Sequence, residues 1–510
     1  MIEVSRRALC KALGISVVAA PAFLRFATVL ASDMDKVTIG WPSDIPSWDP
    51  EQRTVPDAQP IYKMVFDQPL DQAPDLKLIP KLVKSWSLAP DGLSLTLDFR
   101  DDVKFHDGSK MTTADFKYSF FDRVKAGHKI DVAQIWGFVT DVDVPSPTHA
   151  VMHFKLPFAT SAIWLAFLCS YVVPKDYLEK VGEDGFVKAP IGTGPYKLAD
   201  YELNSRIVLE RNEAYWGPKP KMKNVTFQII KDPSARVAAI QSGQVDLTLN
   251  VPVREAERFK KDANFNAELD PIQRVIIIQA RGDLAFADKN VRLAAHHAID
   301  KKALSQAFYG GTAVPLSVVA PPDTPGYVEG YTFAYDVELA KKLLADSGFS
   351  LSKPVQIKLA TTNGQFPGDY DMARAIAQMW KKVGIDAEIE VIEYSKYFEL
   401  NRGNKLPEAT LYSWDNATGD PEIYTGYLLN PNLPFSAWKE KAIGDEVAAL
   451  FAIADYDKRI AAYKEINKKT VEYGAIMPLL QSVITVVSKK DLFFEHYRNG
   501  WILADTMTRT

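Results

Sequence analysis

The chain has 510 residues, of which 47% are hydrophobic and 24% charged, and its net charge is −4. That length exceeds what one hydrophobic core serves, so two or more compact domains are expected, and the composition excludes a disordered chain. The mild acidity argues against a nucleic-acid partner, which would call for a basic surface.

Residues 1–31 read as an export signal. Ser5, Arg6 and Arg7 precede an apolar run from Ala12 to Leu24, and Val29-Leu30-Ala31 offers a small-residue cleavage site. Paired arginines before such a run resemble the twin-arginine signal, with a periplasmic product expected. The run is short for a bilayer span, and Arg25 interrupts it. Removing this segment takes away Arg6, Arg7, Lys11 and Arg25 against Glu3, which moves the net charge from −4 to −7. Of the two cysteines, Cys10 leaves with the signal and Cys169 stays alone, so no internal disulfide forms.

Lys36 to Gly40 form a short strand, and Trp41 to Pro50 a stiff aromatic and proline-rich loop. Leu93 to Phe99 alternate as a half-buried strand that Val103 to Phe105 continues, ahead of the turn dipeptide Asp107-Gly108. Thr112 and Asp115 have capping-box spacing for a helix burying Phe116, Phe120, Phe121 and Val124. A helix opens at Asp232-Pro233, turns Val237 and Ile240 inward and stops at Gly243, before a strand of Val245, Leu247 and Leu249. Asp288 caps a helix carrying Val291, Ala294, Ala295, Ala298 and Ile299, which Gly310 and Gly311 end. Asp336 caps the next, and a helix from Asp369 buries Ala373, Ile376, Ala377 and Trp380 before the strand from Ile385. Alternating helices and strands imply layered α/β domains, with Val275 to Ile278 and Val483 to Val487 as sheet centres.

Catalytic signatures are weak. There is no H-E-x-x-H, G-x-S-x-G or phosphate-loop pattern, and Gly192-Thr193-Gly194-Pro195-Tyr196 reads as a structural turn because Pro195 lacks a backbone donor. Adjacent His296 and His297 point about 100° apart on a helix and cannot jointly grip a metal, so one is read as packed and one as solvated. No cofactor and no metal are implied.

The stretch 411–422, LYSWDNATGDPE, concentrates polar groups beside flat apolar ones. Tyr412, Ser413 and Trp414 run into a loop with Asp415, Asn416, Ala417 and Asp420, the mixture that a small-molecule pocket needs. Read alone, the same residues also suit a core strand ending in a polar turn.

Eight segments resemble, in order, the family 5 extracellular solute-binding proteins. They are Pro80 to Trp86, Pro90 to Phe99, Val103 to Gly108, Thr112 to Phe120, Ile191 to Tyr196, Glu213 to Gly217, Ala239 to Asp246 and Val291 to Asp300. The resemblance implies an α/β bilobal periplasmic binding protein of type II, cluster C, with an extra inserted domain. Domain I would span about 33–76, 190–278 and 487–510, domain II 77–189, and domain III 279–486. The implied function is a monomeric receptor that captures a small-molecule or peptide-derivative ligand by hinge closure and hands it to the permease subunits of an ABC importer. In peptide-binding members an aspartate that takes the ligand's α-ammonium group falls at the place of Ala417, so an unmodified di- or oligopeptide is not the expected cargo. Trp41, Trp136 and Arg281 complete the candidate ligand-binding set. From other classes, a secreted hydrolase acting on a small substrate and a chemoreceptor partner or chaperone-like binder on the same fold stay open at this point.

Overall fold

The structure is a computed structural model that describes residues 34–510 except Thr54, Lys129, Cys169, Ala417, Pro434 and Phe435. The export signal, Cys169 and Ala417 therefore lie outside the described residues.

Ten strands form one sheet, in the spatial order Ile385–Val391, Val355–Thr361, Ala409–Asp415, Phe265–Ala280, Ile476–Lys489, Leu247–Leu249, Lys36–Trp41, Asn224–Ile229, Arg206–Arg211 and Tyr196–Glu202. The two central strands are the longest, with 16 and 14 residues, and they run antiparallel. Their apolar runs Val275 to Ile278 and Val483 to Val487 are buried, as continuous hydrophobic sequence demands at the middle of a sheet. Pairing holds from Phe265 opposite Lys489 to Pro271 opposite Val483, breaks, and resumes with Val275 opposite Gln481. Pro271 has no N–H for the ladder, and the Gln273 N–H donates outside it to the Arg498 carbonyl at 2.6 Å. The break divides the pair into a stretch flanked by Leu247–Leu249 and a stretch flanked by Ala409–Asp415.

A separate antiparallel sheet of four strands has the order Val83–Leu88, Ser94–Phe99, His149–Phe154 and Val139–Ser146. The expected continuation of its second strand through Val103 to Phe105 does not form; Lys104 makes only an isolated bridge to Lys110. The Thr112/Asp115 capping box is present, with the Thr112 N–H donating to the Asp115 carboxylate at 2.8 Å, and Phe116 and Phe120 are buried. The turn from Gly192 to Tyr196 lies against the helix Gln59–Val65: the Gly194 N–H donates to the Val65 carbonyl at 3.0 Å, and a side chain at Gly192 would collide with that same carbonyl.

The helix Pro233–Ser242 starts where Asp232 accepts from the Ala235 N–H and stops at Gly243, whose φ of 78° is left-handed. The helices Val337–Asp346 and Asp369–Lys381 also follow the expected bounds. The segment from Asp288 differs: it is two helices, Lys289–His297 and Lys301–Tyr309, because Asp300 adopts an extended conformation and accepts from the Ala303 N–H at 2.9 Å, capping a new helix. His296 is buried and His297 half-buried, and both rings stack on Phe333, at 3.8 and 4.3 Å. Among the described residues no helix is long and apolar enough to cross a membrane.

The Asp300 cap yields a stability prediction. Asp300→Ala removes the acceptor for one otherwise orphaned N–H and should lower unfolding stability by about 1 kcal/mol; a urea midpoint unchanged from wild type would show that the cap contributes nothing.

Candidate functional site

The strand Ala409–Asp415 ends beside the register break. Arg274 faces Asp415 directly across the antiparallel pair, and the Gln273 carbonyl accepts from both the Asn416 N–H at 3.2 Å and the Tyr424 hydroxyl at 3.0 Å. The broken ladder thus supplies the acceptor that fixes the start of the loop after Asp415.

A cavity of about 50 Å³, room for a few waters, opens at this strand end. Pro56, Ile135, Trp164, Phe167, Leu168, Arg274, Tyr394, Phe398, Tyr412, Ser413, Trp414, Asp415, Ile423 and Tyr427 line it. Its walls are mostly apolar, and Arg274 and Asp415 are its charged members. Tyr394 and Phe398 also line a wider cleft of about 890 Å³ whose wall runs from Pro42 to Pro46 on one side and from Val391 to Arg402 on the other. Those two rings stand between the small inner cavity and the wide outer cleft.

The electrostatics at the inner end are uneven. Arg274 pairs with Asp57 at 3.0 Å and lies 3.8 Å from Asp415. Asp415 is 6% exposed, and neither of its oxygens has a hydrogen-bond partner, the neighbouring Asn416 N–H being committed to Gln273. Burial pushes its carboxyl up to about 6, opposed by Arg274 and reinforced by Asp57.

Segments from opposite sides of the cleft touch. Arg402 pairs with Asp131 at 2.6 Å, Glu422 accepts from the Thr160 hydroxyl at 2.8 Å and the Trp164 indole at 3.1 Å, and Trp164 packs on Tyr427 at 4.9 Å. Burial and the adjacent Asp420 raise the Glu422 carboxyl, while Arg459 opposes them.

The structure brings Tyr412, Ser413, Trp414 and Asp415 together on the cavity wall. Tyr412 is stacked on Tyr397 at 3.9 Å, and the Trp414 indole donates to the Ile423 carbonyl at 2.8 Å. Asn416 is buried with its side-chain oxygen accepting from Thr418. Trp41 stands beside a smaller cavity that shares Pro56 and Arg274 with the first, its ring edge-on to Phe227. Three expected residues have their polar atoms engaged elsewhere. Asp420 holds Arg459 through two bonds of 2.7 Å, Arg281 is tied to Asp283 and the Leu406 carbonyl at 2.6 Å each, and Trp136 is buried against Phe120 and Phe158 with its indole donating to Ser170. The neighbouring Ile135 reaches the cavity instead. Sequence reading missed Asp57, Arg274, Trp164, Tyr394, Phe398, Glu422 and Tyr427; the one available signal was Arg274, a charge bordering the apolar run Val275 to Ile278. Among the described residues the side chains that share metal-ligand geometry are Glu268, Asp270 and His496, outside the cavity lining.

Residues 77–433 match the model of the bacterial extracellular solute-binding proteins, family 5. The chain belongs to that family. It is 27% identical over 488 residues to the nickel-binding periplasmic protein of Escherichia coli (strain K12), covering 91% of this chain and 92% of that one. It is also 27% identical over 453 residues to the dipeptide-binding protein of the same organism, covering 82% and 83%. In fold it resembles the ABC transporter-associated periplasmic binding protein DppA from Helicobacter pylori, solved with the peptide STSA, with a TM-score of 0.84, 21% identity and 94% and 99% coverage. The fold is thus the type II periplasmic binding protein fold, as the ordered motifs implied.

The raised Asp415 carboxyl has a defined consequence. Its folded value lies above the ordinary unfolded one near 4, so the folded chain holds a proton that the unfolded chain releases, and stability falls as pH rises from about 4 to about 6. Asp415→Asn removes that term. At pH 8 the ligand-free variant should be more stable than wild type by on the order of 2–3 kcal/mol, the gap closing below pH 4; parallel pH profiles of the two proteins in chemical denaturation would contradict it.

Proposed function

We propose that this chain is the periplasmic substrate-binding receptor of an ABC importer, closing two lobes around a small peptide-like or other polar metabolite and presenting it to the membrane permease. The observation that carries the reading is the cavity at the break of the two crossing strands, walled by residues from both sides of the cleft. Residues 33–76, 190–278 and 487–510 are read as one lobe and 279–486 as the other, with 77–189, which contains the four-stranded sheet, as the inserted domain. The two long strands cross the joints between them, where a change of register absorbs rotation at little cost. Absence of histidine and cysteine from the cavity and cleft linings among the described residues favours an organic cargo held by aromatic walls.

Screening the mature chain by thermal shift against di- and tripeptides, their amides and N-acylated forms, and amino-acid derivatives tests this. One compound class should raise the melting temperature, by an amount equivalent to about 2.7 kcal/mol at a hundredfold excess over its Kd, and be recovered unchanged. Recovery of a cleaved product would make the chain a hydrolase. Tight calorimetric binding of unmodified dipeptides would overturn the expected departure from generic peptide cargo.

The export route in this proposal is the twin-arginine pathway. Changing Arg6 and Arg7 together to lysine should leave the protein in the cytoplasm, seen as loss of the periplasmic fraction; export undiminished would assign residues 1–31 to the general secretory route.

A further inference from the structure

Where the central strand Phe265–Ala280 meets the C-terminal segment, Glu268, Asp270 and His496 bring one ligating atom each within 4.8 Å of the others. Glu268 and Asp270 are two residues apart on the strand, so both side chains leave the same face. His496 reaches them from a segment that is fixed two residues later: Arg498 accepts from the Gln273 N–H at 2.6 Å and donates its own N–H to the Pro74 carbonyl at 2.9 Å. The imidazole also rests against the Phe494 ring, 4.8 Å away. Its Nδ1 stands 3.1 Å from Glu268 Oε2 and 3.9 Å from Asp270 Oδ2. Among the described residues neither carboxylate is paired with a lysine or an arginine, so two acids share one imidazole. Glu268 Oε2 is covered by its surroundings yet has no hydrogen bond, because the imidazole is close enough but not aligned to donate. Ordinary surface pairs in this chain look different: His149 bonds to Asp98 at 2.8 Å and His153 to Asp143 at 3.0 Å, each with a single carboxylate.

We propose that Glu268, Asp270 and His496 form a site for a zinc-class dication that clamps the C-terminal segment to the central strand. None of the three lines the cavity or the cleft, so the site is separate from the cargo site and independent of what the cleft binds. The donor set selects the metal: calcium and magnesium take oxygen ligands, whereas one imidazole with two carboxylates suits zinc. Bonds of about 2.0–2.1 Å at tetrahedral angles set ligand atoms about 3.3 Å apart. Glu268 and His496 are already near that separation, and Asp270 has to close on the imidazole by roughly half an ångström. The Asp270 and His496 side chains are each 54% exposed, which leaves a metal free entry and a fourth position for water. The bound ion would supply the counter-charge that the two acids lack. It would also add a second tie beside the Gln273–Arg498 bond, at the edge of the register break.

Calorimetry on the untagged mature chain, stripped with a chelator and titrated near neutral pH with Zn²⁺, Ca²⁺ and Mg²⁺, tests the site. One equivalent of Zn²⁺ should bind, more than about tenfold tighter than either of the other two ions. A lost ligand should cost at least what the loss of an outer-shell partner does, so His496→Gln and Asp270→Asn should each weaken Zn²⁺ by more than about tenfold. His153→Gln, at a histidine that faces a single carboxylate, should leave the affinity unchanged. Zn²⁺ should raise the melting temperature of wild type and not that of His496→Gln, while the two metal-free proteins melt together; that comparison separates a lost ligand from a damaged fold. No binding of Zn²⁺, equal binding of Ca²⁺, or affinity undiminished in His496→Gln or in Asp270→Asn would each overturn the assignment.

Discussion

The rest of the structure depends on the interrupted pairing of Phe265–Ala280 with Ile476–Lys489. A proline in a central strand is ordinarily a defect, because it removes a ladder donor. Here the loss at Pro271 lets the chain re-aim: Gln273 gives its N–H to Arg498, and its carbonyl receives Asn416 and Tyr424. One local irregularity therefore joins the C-terminal segment, the crossing strand and the loop after Trp414. It also sets Arg274 opposite Asp415, so the charged end of the cavity is a product of strand register and not of loop conformation. A slip of one residue would send Asp415 to the other face of the sheet and dissolve the cluster.

Much of the fold was legible because its signals are local. Asp232 and Gly243, Asp336, and the Thr112/Asp115 box each specify a helix end within a few residues, and the structure places caps at all of them. The Asp288 to Gly311 segment was misread as one helix for an instructive reason. Its apolar spacing is continuous through Ile299, and Asp300 looks like an ordinary helical acid until its side chain is seen to accept from Ala303. At the site, Tyr412 to Asp415 were readable because they lie on one strand. Arg274, Trp164 and Glu422 were not, since their roles come from pairing and packing between segments far apart in the chain. Trp136 shows the limit of composition: an indole drew the choice, yet the five-residue helix Val132–Trp136 turns Trp136 into the core and its neighbour Ile135 toward the cavity.

The two buried clusters that Asp415 and Asp420 join have the same stoichiometry, one guanidinium to two carboxylates, and opposite character. At Arg459 both carboxylates have donors: Asp420 is bidentate, and the second carboxylate, Glu422, takes donors from Thr160 and Trp164 on the far wall of the cleft. A pair this satisfied makes its contribution in holding segments in place, and removing one member would leave an uncompensated buried charge. At Arg274 the guanidinium is given to Asp57, and Asp415 is left with electrostatic proximity but no hydrogen bond. Stability alone does not favour that arrangement, because a neutral residue at position 415 would avoid the desolvation that raises its carboxyl. At the mouth of the cleft Arg402 is likewise spent on Asp131, and that pair ties two segments far apart in the chain to each other.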